Sequence, residues 1–366
     1  MLDVAAHRAG ESDARGLLEL SGPTGGRLAR VAAAVNTRGP DRWSGPFYFV
    51  HGRRQPIARE QSGFRVGVDL GGTKIEAVVL DGDSAIAVRH RLPTPRESYD
   101  AILDTIAQLV RRVEGEVGEA GLPVGIGTPG SLSPATGRLR NSNTVVMNGQ
   151  PFVEDIQQRL EREVRIANDA NCLTLSEASD GAAAGCRVVF GVILGTGCGG
   201  GVVVDGELRA GANGIGGEWG HNPLPWPAPD DPRESPGHVC WCGRRGCMET
   251  YLSGTGLALE HRHRTGEEVT GRDVIERAAA GDEAALATRE RYASRLARGL
   301  SSIINLLDPD AIVLGGGLSN VDWLYARVPE LWTQWVFSDV IHTRLLRARY
   351  GDSSGVRGAA WLWPKS

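Results

Sequence analysis

The sequence predicts an α/β protein built from two related lobes. The first observation is a strand from Phe64 to Val68, a turn through Asp69-Leu70-Gly71-Gly72-Thr73-Lys74, and a second strand from Ile75 to Leu80. The second is a repeat of this element further on. Val188 to Leu194 is a near-continuous apolar strand, Gly195-Thr196-Gly197-Cys198-Gly199-Gly200-Gly201 is the turn, and Val202 to Leu208 runs back. The third is size: 366 residues with 41% hydrophobic and 23% charged content suit two ordinary globular domains.

Residues 1–63 differ from the rest. Glycine, arginine and proline recur, as in Gly22-Pro23-Thr24-Gly25-Gly26, and apolar patches are short. A disordered extension is expected there. The first lobe is expected over 64–182, joined by a C-terminal helix at 355–364, and the second over 183–354. Within the first lobe, His90 to Pro95 reads as a proline-stiffened link. Tyr99 to Val117 carries Ile102, Ile106, Leu109 and Val113 at helical spacing. Val124 to Gly130 is a strand ending in a Gly-Pro-Gly turn, and Phe152 to Glu163 a second helix. Val164 to Ala167 is a short strand that delivers Asn168-Asp169-Ala170-Asn171 to a helix through Cys172 to Ala184. In the second lobe, Tyr292, Leu296, Leu300, Ile303, Ile304 and Leu307 form one apolar helix stripe. Ala311 to Leu314 is a buried strand running into Gly315-Gly316-Gly317, and Val356 to Trp363 a final helix.

Charge and cysteine usage narrow the function. A formal net charge of −4 speaks against a general nucleic-acid binder. No apolar run approaches the ~18 residues of a membrane span, and Met1 to Leu20 lacks the apolar centre of a signal peptide. Three of the six cysteines cluster as Cys240-Trp241-Cys242-Gly243-Arg244-Arg245-Gly246-Cys247. This C-x-C-x4-C pattern reads as metal chemistry in a reducing cytoplasm rather than a disulfide framework. Three thiolates leave one tetrahedral position, for which His221 and His238 are candidates, and a closed Cys3His site would be structural zinc.

The glycine turns suit nucleotide phosphates, because bare backbone can approach a ligand and present N–H groups. Gly67, Asp69, Gly71, Gly72, Thr73 and Lys74 form the first such set, with Asp69 able to hold Mg²⁺. Gly195, Thr196, Gly197, Gly199 and Gly200 form the second, and Gly315, Gly316 and Gly317 offer a flat bed for purine or ribose. Asp169 stands at a strand end and a helix N-terminus, where local N–H groups stabilise a carboxylate; an ordinary helix cap is the plain alternative. Asn168, Glu218, His221 and Glu249 can bond several hydroxyls, and Asn143 is expected beside them. Phosphoryl transfer from ATP to a sugar hydroxyl uses all these parts, with Asp169 as general base.

The stretches Gly67–Lys74, Asn168–Asn171, Gly195–Gly197, Gly217-Glu218-Trp219-Gly220-His221, Cys240–Glu249 and Gly315–Gly317 resemble the ROK family of bacterial sugar kinases and repressors over residues 64–366. The resemblance implies an actin-like ATPase (ribonuclease H-like) fold with a nucleotide and sugar cleft between two lobes. It implies Asp169 as catalytic base, sugar contacts from Asn168, Glu218, His221 and Glu249, and His221 as the histidine of a zinc site with Cys240, Cys242 and Cys247. Within the family the chain is most similar to fructokinases that also accept mannose, through His90–Arg96, His221–Trp226, Ser253–Gly256 and Gly351–Trp363. That implies ATP and Mg²⁺ as cofactors, fructose 6-phosphate as product and a homodimer. An N-acetylglucosamine or glucose kinase is the alternative within enzymology. A sugar-responsive repressor is the alternative of another class, and residues 1–63 lack its two short amphipathic DNA-binding helices.

Overall fold

The computed structural model describes residues 63–364, so the expected extension falls outside the described residues up to residue 62. Strands β1 (Arg65–Leu70) and β2 (Lys74–Leu80) form the first hairpin. β3 (Ile86–Pro93) then pairs antiparallel with β2 along its length. The stretch read as a link is therefore largely a strand. Its residues alternate between half-buried and exposed, and its proline closes the last residue, where no further ladder bond is needed. Helix α1 (Tyr99–Val117) is capped by Ser98 and ends on Gly118 in the left-handed region. Its buried stripe of Ile102, Ile106, Leu109 and Val113 packs on this sheet.

β4 (Val124–Thr128) lies parallel to β1, and a small hairpin of β5 (Ser131–Leu132) and β6 (Leu139–Arg140) follows. Helix α2 (Phe152–Leu160) stops three residues before the expected end, because Glu161 turns left-handed. β7 (Val164–Asn168) adds parallel to β4. Helix α3 (Asp169–Ser179) starts at once, three residues earlier than expected, because the Asn168 side chain caps it. It ends at Asp180, before the Gly181 turn.

The second sheet repeats the first. β8 (Val188–Leu194) and β9 (Cys198–Val204) form its hairpin. Asp205-Gly206, both at positive φ, turn the chain into β10 (Glu207–Leu208), which splits the expected returning strand in two. Short α4 (Glu249–Leu252), α5 (Gly254–Thr265), α6 (Gly271–Ala279) and the long α7 (Glu283–Leu307) form a helical layer. β11 (Ala311–Gly315), α8 (Trp323–Trp332), β12 (Arg344–Arg347) and α9 (Ser354–Trp361) complete the chain. The sheet orders are β3-β2-β1-β4-β7 and β10-β9-β8-β11-β12. In both, the first three strands are antiparallel and the next two run parallel to the middle one.

Two helices sit between the sheets. α9 lies on β1 and β4, where Gly67 and Gly125 are register partners. A Cβ on either would stand 2.1 or 1.8 Å from an α9 carbonyl oxygen. α3, counted with the first lobe in the sequence, lies on β8 and β9. There Gly191 and Gly201 are likewise register partners, and Thr174 fills the space their missing side chains leave. The two helices meet at Gly358, where a Cβ would come within 1.6 Å of the Cys172 carbonyl oxygen.

Candidate functional site

The parallel strands of both sheets end toward the site: Asp69, Thr128 and Asn168 in the first, Gly195 and Gly315 in the second. Carboxyl ends of parallel strands are where open α/β sheets take their ligands. Asp69 stands near the end of β1 and Asp169 just past the end of β7, with β4 between the two strands, and Asp69 feels the charge of Asp169. Crowding by protein raises the Asp69 pKa to about 7, and the charges of Asp169 and Glu76 add to this. No hydrogen-bond donor reaches its carboxylate among the described residues, which leaves both oxygens for a cation.

The Asp169 residue is exposed to solvent. Desolvation by the protein around it raises its pKa, and the Ala170 N–H at 2.8 Å partly offsets this. The upward direction is useful for a group that must accept a proton. Asn168 caps α3 through its carbonyl oxygen, 2.7 Å from the Asn171 N–H, so its amide donors remain for a ligand. The helix cap at these two residues leaves free the groups that a functional role would need.

Trp219 builds the other wall. It is fully buried, edge-on to Phe190, and its indole N–H donates to the Gly199 carbonyl at 3.0 Å. It anchors the turn that presents Glu218 and His221 on either side. Burial raises the Glu218 pKa, with His221 opposing. Glu249 joins two loops: its carboxylate accepts the Cys198 N–H at 3.0 Å and the Trp241 indole N–H at 2.6 Å. Each oxygen keeps a lone pair for a hydroxyl. Asn143 stands across from Gly72, its oxygen 3.8 Å from where a Cβ would be. Neither the anchor Trp219 nor the Trp241 bridge was picked from the sequence, since a tryptophan inside a motif carries no polar signal of its own.

The glycines sort by what occupies the space beside them. Around Gly72, Gly195 and Gly317 it is open or holds only atoms at 3.8 Å or more. Gly67 is covered by α9, Gly200 by Gly217 and Gly315 by Leu173, each closer than 3 Å to an added Cβ. These three were expected at the nucleotide, and in the structure each also lets a neighbouring element pack against its bare side. Gly199 lies against Ala170, and Gly316, at φ +80°, against Leu194. Gly71 closes the first turn by donating to the Lys74 carbonyl, and Thr73 within it is exposed. Gly197 lies beside Glu249, and Thr196 accepts from Thr255 through its carbonyl.

One face of the cysteine loop gathers His221, Cys240, Cys242 and Cys247, whose ligand atoms all lie within 4.8 Å of one another. Cys242 and Cys247 sulfurs are 3.6 Å apart, and Cys240 Sγ is 3.7 Å from His221 Nδ1. A tetrahedral zinc with ~2.3 Å bonds to sulfur would space its ligands by roughly 3.6–3.8 Å, so the donor set fits that ion. His238 is elsewhere, stacked on His263 at 5.4 Å and beside Tyr251.

Comparison with known proteins places this geometry. The chain is 40% identical over 301 residues to an N-acetyl-D-glucosamine kinase of Pasteurella multocida, covering 82% of this chain and 99% of that one. The structure superposes on a ROK hexokinase from Thermus thermophilus with a TM-score of 0.73 and 33% identity, covering 81% and 97% of the two chains. It also superposes on a ROK family glucokinase from Streptomyces griseus, solved with glucose and AMPPNP, with a TM-score of 0.68 and 28% identity over 83% and 100%. The fold is the actin-like ATPase fold of these kinases. With the ROK family model matching residues 65–366, the chain belongs to the ROK family.

Proposed function

We propose that this chain, an ATP-dependent sugar kinase, phosphorylates a free hexose at its primary hydroxyl in the groove between its two sheets. The observation that carries the reading is the convergence of Asp69, Asp169 and the open glycines Gly72, Gly195 and Gly317 at the carboxyl ends of both sheets. Asp69 would hold Mg²⁺, whose chemistry is to neutralise charge on the phosphates of ATP. Asn143, Asn168, Glu218, His221 and Glu249 orient the sugar. Asp169 accepts the hydroxyl proton as the sugar oxygen bonds to the γ-phosphorus and the bond to the ADP oxygen breaks. Cys240, Cys242, Cys247 and His221 would hold a structural zinc, which would fix the loop behind Glu249. The lobes are taken as 64–182 with 355–364, and 183–354, with α3 of the first packed on the sheet of the second. The enzyme acts as a homodimer in the cytoplasm, a setting that suits its free cysteines.

For the sugar, the relative at 40% identity favours N-acetylglucosamine over the fructose expected from sequence. Fructose or mannose is the second reading, and it rests on Asn222-Pro223-Leu224-Pro225-Trp226 after His221. ADP release is measured with N-acetylglucosamine, fructose, mannose, glucose and N-acetylmannosamine at saturating ATP and Mg²⁺. N-acetylglucosamine in first place supports the main reading, and fructose or mannose in first place replaces it with the second. Turnover with no hexose contradicts both.

A further inference from the structure

The segment His90–Arg96 has no part in the chemistry above, yet it is fastened to the first glycine turn. Thr94 is buried. Its N–H donates to the Thr73 carbonyl at 3.1 Å and its hydroxyl to the Gly71 carbonyl at 2.7 Å. The two bonds hold both sides of the turn and set the chain on either side of Thr94 along it.

Arg91 then stands in register with Glu76, which stands in register with Asp69. Glu76 is buried and gathers three cations: Arg91 at 2.6 Å, Arg89 at 3.1 Å and Lys74 at 3.8 Å. Asp352 also faces Arg91 from the chain before α9. Two residues beyond Thr94, Arg96 is exposed and makes no ion pair among the described residues. One of its terminal nitrogens lies 3.8 Å from the point where a Cβ on Gly72 would stand. A free guanidinium beside bare backbone can take a phosphate through its planar fork.

We propose that Thr94 positions Arg96 over the first glycine turn as a contact for the terminal phosphate of the donor, with the Glu76-held cations supplying positive field beside it. The inference rests on the kinase reading. A terminal phosphate approaching Gly72 would meet no side chain on the glycine and a charged donor at its edge. ADP lacks that phosphate and would not use Arg96.

The full chain is titrated by calorimetry with inorganic tripolyphosphate and separately with ADP. Arg96 makes no ion pair or hydrogen bond among the described residues, so Arg96→Gln should fold normally. It is expected to weaken tripolyphosphate binding by about tenfold or more while leaving ADP within about twofold, with Arg96→Lys recovering part of the loss. The KM for ATP should rise with that for the sugar unchanged, and Thr94→Val should show a smaller change of the same kind. The proposal is overturned if native protein does not bind tripolyphosphate, if Arg96→Gln binds it like native, or if ADP is lost equally. Failure of the kinase reading would show separately, as absent turnover with every hexose.

Discussion

Asp169 accepts one backbone N–H and otherwise faces the groove, while Glu249 spends a lone pair on each of two loops. The difference fits the roles proposed for them, a group free to take a proton and one that ties structure to ligand. Both were legible as candidates because their motifs bring charge to strand and loop ends. What tells them apart is contact, which the sequence does not carry. The same holds for the glycines. Gly67 and Gly72 look alike in one motif, yet one lies under a helix and the other beside open space. The clustering of three thiols was legible in the sequence, and the structure sets His221, as the resemblance implied, rather than His238 beside them; the zinc itself is the proposal. Native protein is expected to carry one zinc per chain, and Cys247→Ser to lose it. Metal analysis of purified protein checks this, and full zinc content in Cys247→Ser would contradict the assignment. Because Glu249 follows that loop by two residues, the variant should also raise the KM for sugar more than that for ATP.

Among the elements, the loop before the cysteines is held by an unusually polar interior. Arg295 and Arg298 of α7 reach Glu234, with Arg295 also on Glu260 of α5, all buried. Burial alone would raise the Glu234 pKa, but hydrogen bonds from Arg298, the Ala228 N–H and Arg295 outweigh it and bring it to about 2. The unfolded group titrates near the ordinary glutamate value, so the stabilisation is present above about pH 4.5 and is lost as pH falls toward 2. It is worth on the order of 3 kcal/mol. Glu234→Gln should lower the urea midpoint at neutral pH and flatten its fall through that acid window. An unchanged acid profile would show that the network does not hold the loop. None of this was legible in sequence, where Pro227 to Pro236 reads only as an acidic, proline-rich loop and the α7 stripe only as apolar. Helix α1 was legible to the residue. β3 was missed because its proline outweighed a plain two-residue alternation.

At the scale of the whole molecule, the internal repeat was legible as two glycine hairpins, and it extends to both sheets' strand order. The lobe assignment of α3 was not. It is continuous in sequence with the first sheet yet packs on the second, through Gly191 and Gly201. The arrangement puts a catalytic candidate at the start of a helix that belongs to one sheet by contact and to the other by chain. α3 and α9 pack on each other at the bare surface of Gly358 and so link the two sheets. The groove therefore gathers charge from both halves at one point, and the account turns on what Asp169 does there. The direct measurement is turnover and sugar binding in Asp169→Asn, using the hexose that leads the panel. The account predicts a loss of kcat of about 10²–10⁴-fold with the sugar Kd within about threefold of native, since the amide keeps the side chain's shape. A variant that turns over at the native rate, or that loses sugar binding together with kcat, would contradict the role of Asp169 as general base.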